Sequence, residues 1–341
     1  MPGLSRFHCS MIVSTRSATS GSEDWGIPNY LLMSRDLQRT IIFMLRDYGV
    51  VLRTAMTPVV WGSTYVVATE FLPEGRPLLA ACLRALPVGL VFVLSSRRLP
   101  EGNWWWRSAV LGVLNIGFFF ALLFVAAFRL PGGVAATAGA IQPLVAAAMA
   151  AVVLNEALTR RVVAGATVGV LGVGMLVLGP DAALDPLGVL AAIAGTVSMA
   201  AGVVLTKYWG RPVGLVTFTG WQLTAGGLFL LPALVAFEGI PAAVTTTNVA
   251  GLVWLAVLGT GAAYANWFAG LQQLPVASIS FLGLLSPVVA TILGWVVLDE
   301  SLGATQLAGA SLILAAVAAP YLRGSMPRGK CTLRGIPRLT R

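Results

Sequence analysis

Runs of about 20 residues without a charged side chain recur through most of this chain, and each is long enough to cross roughly 30 Å of hydrocarbon as a helix. Only 10% of the 341 residues are charged, 57% are hydrophobic, and the mean hydropathy is +0.85. An ordinary soluble domain carries about a quarter charged residues, so a soluble globular fold is excluded and the lipid bilayer is the expected partner. Lys plus Arg exceed Asp plus Glu by 22 to 13. In a polytopic protein such an excess sets topology, and no nucleic-acid partner is expected. Cys9, Cys82 and Cys331 are far apart and His8 is the single histidine. That matches neither a disulfide framework nor a metal-ligand spacing, and neither a metal nor a cofactor is expected.

Ten apolar segments follow one another at 54–72, 78–95, 108–128, 132–153, 162–179, 187–206, 214–236, 249–271, 276–298 and 303–322. Breaks such as Arg97-Arg98-Leu99-Pro100 and Gly179-Pro180-Asp181 carry turn chemistry. Short cytoplasmic loops accumulate Lys and Arg. With the N-terminus inside, the inner connections hold Arg97, Arg98, Arg107, Arg160, Arg161, Lys207 and Arg211, and the outer ones Arg76 and Arg129. The C-terminal stretch 323–341 agrees, since its Arg323, Arg328, Lys330, Arg334, Arg338 and Arg341 suit an anionic inner leaflet. A multi-pass protein of the plasma (inner) membrane with both termini cytoplasmic is expected. Residues 1–52 show no signal-peptide pattern and read as a flexible cytoplasmic tail. Within them Leu37, Ile41, Ile42, Met44 and Leu45 lie among Arg35, Arg39 and Arg46, either a surface helix or part of an unstructured leader. Trp104, Trp105 and Trp106 fit an interfacial aromatic belt.

Displacing the chain by 144 residues sets Leu111–Ala166 on Leu255–Ala310 without a gap, with about 20 of the 56 positions identical. Leu130-Pro131 meets Leu274-Pro275, Pro143 meets Pro287, and Glu156 meets Glu300. Composition explains coincident Ala and Leu but not paired prolines and glutamates in register. The expected fold is an all-α integral membrane protein with ten transmembrane helices in an inverted 5+5 repeat, residues 53–180 and 181–322. An odd number of spans per half makes the second enter from the opposite side, placing Glu156 at the cytoplasmic face and Glu300 at the outer face. A conformation of one half is then exchangeable with that of the other, which is the basis of alternating access. Pro143 and Pro287 fall inside equivalent spans, as kinks that bend with the cavity or as static packing features. Gly165 and Gly169, in GxxxG spacing, suit close helix packing.

With that arrangement reached, the sequence resembles the EamA-type transporters of the drug/metabolite transporter superfamily over about residues 55–322. The resemblance rests on Trp61-Gly62-Ser63, Arg84, the series Pro143, Glu156, Gly165, and its counterpart Pro287, Glu300, Gln306, Gly309. Val162 stands where the second copy has Gln306, so the two halves are not expected to share one polar role there. The resemblance implies a secondary transporter that exports or exchanges small metabolites such as amino acids, organic acids or amphipathic compounds. A membrane enzyme would need a cluster of His, Asp, Glu or Cys near one interface, and a non-transporting assembly subunit would give no reason for an inverted repeat. No catalytic activity is expected, and no phosphate loop for direct ATP drive is present.

Polar side chains at lipid depth usually face a bundle interior or a water-filled cavity. Arg84 lies about 10 Å from the outer end of its span at 1.5 Å per residue. It either pairs with a substrate carboxylate or is neutralised by Glu70 near the end of the first span. Asn115, Gln142, Tyr264, Asn266, Trp221 and Gln222 supply mixed polar and aromatic surface, and Trp61 and Tyr65 share a helix face. Together these residues are the candidate substrate contacts, each also compatible with interhelical packing. Glu156 and Glu300 are expected to anchor helix ends beside the gating helices.

Overall fold

A computed structural model describes residues 48–73, 75–129, 139–177, 185–239, 243–297 and 303–319, all within one compact unit, Tyr48–Arg341. The basic stretch around Leu37–Arg46, the C-terminal tail and Glu300 lie outside the described residues. Regular structure among the described residues is helical throughout, with no strand. Helix α1 (48–62) is already formed ahead of the tail boundary expected at 52, and a break at Ser63 separates it from α2 (Thr64–Phe71). Then follow α3 (Pro77–Ser96), α4 (Trp104–Gly112), the π segment π1 (Val113–Gly117) and α5 (Phe118–Arg129). After these come α6 (Gln142–Val153), α7 (Arg160–Val177), α8 (Pro186–Trp209), and α9 (Leu215–Ala233) running on into π2 (Leu234–Glu238). The remaining elements are α10 (Thr246–Ala256), π3 (Val257–Ala262), α11 (Ala263–Leu271), α12 (Val276–Gly283), α13 (Leu285–Val297) and α14 (Ala304–Ala318).

Six helices among the described residues are long and apolar enough to cross a membrane: Pro77–Ser96, Trp104–Leu123, Pro186–Trp209, Leu215–Glu238, Thr246–Leu271 and Val276–Val297. The chain is therefore a multi-pass membrane protein. α6 and α14 are shorter apolar helices.

Their ends are satisfied locally and at long range. Asp185 caps α8 by accepting from Leu187 N, with Pro186 in the first turn, where a missing N–H costs nothing. Thr245 and Asn248 form a reciprocal capping box on α10. The N–H groups of Leu78 and Leu79 in the first turn of α3, which have no partner within the helix, donate to Glu238 at 2.7 and 2.8 Å, placing a carboxylate at the positive end of the helix dipole. Arg129 pairs with Asp185 at 3.1 Å, and its hydrogen bond, helped by Leu187 N–H, holds that carboxyl below the usual carboxylate range.

Close backbone approach organises the packing. A Cβ on Gly89 would lie 2.6 Å from Thr224 N, so α3 and α9 pack at glycine distance. A Cβ on Gly172 would lie 2.9 Å from Gly309 O, which brings α7 and α14 together in the same way. Such contacts suit helix association in lipid, where small residues admit close van der Waals packing. Gly165 and Gly169 meet Phe281 and Leu284 instead, at the junction of α12 and α13.

The two prolines stand beside helix interruptions. Pro143 occupies the first turn of α6, after a non-helical turn at Ala140–Ile141, and Pro287 occupies the first turn of α13, after the turn at Leu284. Each restarts a broken helix, where the absent N–H removes no ladder bond. The two breaks are 144 residues apart, as are the starts of π1 and π3.

Candidate functional site

Arg84 projects from α3 into the core with 6% of its surface exposed. Its Nε donates to Thr260 Oγ1 at 2.8 Å and its Nη2 to Gly259 O at 3.1 Å. The guanidinium carbon lies 4.8 Å from the centroid of the Phe120 ring. Both acceptors belong to π3. Gly259 O also accepts from Trp61 Nε1 at 3.0 Å, so one carbonyl of the widened turn holds two side chains from other helices. Glu70 is exposed and does not reach Arg84, and the ion pairs among the described residues are Arg129–Asp185 and Lys207–Glu156. The expected Glu70 pair is thus replaced by neutral oxygens and an aromatic face. The acceptors are uncharged, so among the described residues the buried guanidinium has no carboxylate partner, which makes the place a candidate site.

Aromatic rings connect Arg84 to a second polar group. Phe120 meets Tyr264 edge-on at 6.4 Å, Tyr264 meets Trp61 at 5.2 Å, and Trp61 meets Trp267 at 5.1 Å. Tyr264 Oη donates to Asn115 O at 3.5 Å, a long bond. Asn115 lies in π1 at the repeat position of Gly259. The equivalent carbonyls of the two π segments each receive side-chain donors from the core. The Asn115 amide donates to Thr206 Oγ1 at 3.1 Å and to Gln222 Oε1 at 2.9 Å. Asn115 Oδ1, Gln222 Nε2, Gln142 Nε2 and Trp267 Nε1 are buried without a protein partner. An orphaned buried group of this kind costs about 1–3 kcal/mol unless water or another partner completes it.

Arg84, Trp61, Tyr264, Asn115 and Gln222 are thereby linked in one polar and aromatic cluster. Gln142 stands at the edge of this group: the Cβ position of Gly283 is 3.9 Å from both Gln142 Oε1 and the Trp267 ring. Two residues do not belong. Trp221 turns to the end of the bundle, donates to Arg98 O at 2.9 Å, and lines a cleft of about 540 Å³ with Arg98, Leu99, Glu101, Trp104, Pro212 and Val213. Asn266 ties α11 to α1 through Arg53 O at 2.6 Å and Thr57 Oγ1 at 3.0 Å. The side chain of Tyr65 lies outside the described residues. Sequence reasoning missed Thr260, Thr206 and Trp267; the visible trace of Thr260 is the Gly259-Thr260-Gly261 run, which falls opposite Asn115 in the repeat.

Glu156 closes one end of the bundle. Its Oε2 accepts from Val276 N at the start of α12 at 3.0 Å, and its Oε1 pairs with Lys207 Nζ at 3.0 Å. Lys207 also donates to Leu274 O. The loop after α6, the last turn of α8 and the loop before α12 are thereby locked together.

Comparison with known proteins decides what kind of core this is. The model of the EamA-like transporter family matches twice, at residues 50–178 and 186–320. The chain belongs to the EamA-like transporter family. It is 47% identical over 262 residues to Protein PecM of Dickeya dadantii, covering 76% of this chain and 88% of that protein. It is 31% identical over 276 residues to a probable amino-acid metabolite efflux pump of Salmonella typhimurium, covering 75% of this chain and 89% of the pump. A solved crystal structure matches with TM-score 0.69 at 21% identity, over 80% of this chain and 98% of that one, and carries the fold alone. This EamA-family chain is a membrane transporter of the drug/metabolite transporter superfamily, and the polar core around Arg84 is its candidate substrate site.

Proposed function

We propose that the chain is a secondary transporter that exports a small carboxylate-bearing metabolite, of the amino-acid or organic-acid kind, by alternating access between two inverted five-helix halves. The observation that carries this reading is Arg84, a buried guanidinium held by Thr260 and Gly259 with no carboxylate beside it among the described residues. A substrate carboxylate supplies the missing charge, and paired N–H donors suit its two oxygens. The aromatic walls of Trp61, Phe120 and Tyr264 take the apolar part of the substrate, and Asn115, Gln222 and Gln142 take its polar part. The paired family matches, the two broken helices and the two π segments at one 144-residue offset support inverted halves. Broken helices in corresponding positions commonly flank transporter binding sites. The name of the Salmonella typhimurium relative supports amino-acid metabolites and outward movement. The plasma membrane, with both termini in the cytoplasm, is the proposed setting.

The test is counterflow in sealed vesicles holding purified protein, with amino acids, organic acids and cationic dyes as competing cargoes, with and without a pH gradient. Carboxylate-bearing cargo exchanges in the wild type, and Arg84→Gln abolishes that exchange while Arg84→Lys weakens it. Normal affinity for such cargo in both variants contradicts the assignment of Arg84, and no flux of any class in folded, inserted protein contradicts transport.

A further inference from the structure

A cation caged by aromatic rings lies away from the substrate site, where α4 begins and α8 ends. The guanidinium carbon of Arg107 is 5.4 Å from the Trp104 ring, 5.6 Å from Trp106 and 5.5 Å from Trp209. Trp106 and Trp209 meet edge-on at 5.1 Å, so the walls brace each other. Three indoles on two helix ends fix the direction of one charge. Among the described residues nothing takes that charge up: the ion pairs are elsewhere, and Arg107 Nε is buried without a partner.

A guanidinium held by its faces still offers a planar fork of N–H donors, matched to the paired oxygens of a phosphate. The surroundings say which phosphate. Trp105, Trp106 and Tyr208 are 57%, 50% and 59% exposed, large rings with polar edges of the type that settles at headgroup depth. The same helix ends flank membrane-crossing segments, Trp104–Leu123 and Pro186–Trp209, so the phase against these rings is the headgroup layer of the bilayer. We propose that Arg107 and its three tryptophans form a binding site for the phosphodiester of an anionic phospholipid, separate from the substrate site. The lipid supplies the acceptor that the chain withholds, and its acyl chains lie along the apolar faces of α4 and α8.

The experiment is native mass spectrometry and thermal unfolding of the full chain in detergent, titrated with phosphatidylglycerol or phosphatidylcholine, and separately with inorganic phosphate. Phosphatidylglycerol remains bound and raises the unfolding temperature more than phosphatidylcholine, and inorganic phosphate does not reproduce the shift. Arg107→Gln lowers the affinity for phosphatidylglycerol by about tenfold, the scale of losing charge-assisted bonds, whereas Arg98→Gln at the exposed neighbouring loop leaves it unchanged. Trp209→Leu keeps the charge, removes one wall, and also weakens retention; it carries the test if Arg107→Gln does not fold. Equal retention by the wild type, Arg107→Gln and Trp209→Leu overturns the site. So does an Arg98→Gln loss as large as that of Arg107→Gln, or an inorganic-phosphate shift equal to that of the lipid.

Discussion

Arg84 shows how far one side chain carries the functional reading. An arginine within a membrane helix costs up to about 3 kcal/mol on insertion scales, against about 1 kcal/mol for each of the two neutral hydrogen bonds that hold Arg84 here. Under the proposed function a substrate carboxylate makes good the deficit. Thr260 accepts from Nε and so orients the fork without touching the cargo itself. In Thr260→Val the half-saturation concentration for a carboxylate cargo rises about fivefold, the worth of one hydrogen bond, with maximal flux little changed, and Thr260→Ser restores it. Unchanged half-saturation in Thr260→Val, with Arg84→Gln still inactive, removes Thr260 from the site and leaves Arg84 in it. The sequence exposed Arg84 because a charge in an apolar helix is conspicuous. It hid Thr260 because a threonine in such a helix commonly bonds its own preceding turn, as Thr196 does to Ala192 O at 2.8 Å and Thr206 to Gly202 O at 2.7 Å.

Among elements, the loop after α6, the end of α8 and the start of α12 are fastened by Glu156 and Lys207, whose side chains are 26% and 22% exposed. A half-buried pair that also satisfies Val276 N and Leu274 O outweighs the exposed Arg129–Asp185 pair, which solvent screens. If this clasp closes one end of the bundle, Glu156→Gln and Lys207→Met each speed labelling of a cysteine introduced by Ser280→Cys, a buried position in α12. Arg129→Gln leaves the labelling rate as it was. Equal rates in all of these backgrounds make the clasp a static contact. Sequence reading found Glu156 through the repeat but counted Lys207 only as a topological charge, because pairing across 51 residues of chain is set by packing. It located the prolines inside equivalent spans, and each stands in the first turn after an interruption of its helix, where its missing N–H costs little. The π segments left no trace in hydropathy, since a widened turn changes spacing by a single residue.

At the scale of the molecule, bilayer physics made most of the architecture legible. Helical content and two family repeats agree with apolar length and register, which lipid enforces more strictly than water does; of the ten expected spans, six helices among the described residues are long and apolar enough to cross. The side-chain partners that build the site depend on which helices touch, and one sequence does not encode that openly. Hydrogen bonds between helix ends agree with up-and-down alternation: Glu238 with α3, Asn248 with Phe71 O, and Arg129 with Asp185 join ends expected outside. Trp221 with Arg98 O, and Glu156 with Lys207, join ends expected inside. Inverted halves put repeat-equivalent positions on opposite faces of the membrane. Thr159 and Gly303, 144 residues apart and both exposed, are such a pair. With Cys9 and Cys331 replaced, impermeant thiol labelling of Thr159→Cys and Gly303→Cys in oriented vesicles reaches the first from the cytoplasmic side and the second from the outer side. Labelling of both from one side contradicts the inverted arrangement, and alternating access between exchangeable halves with it.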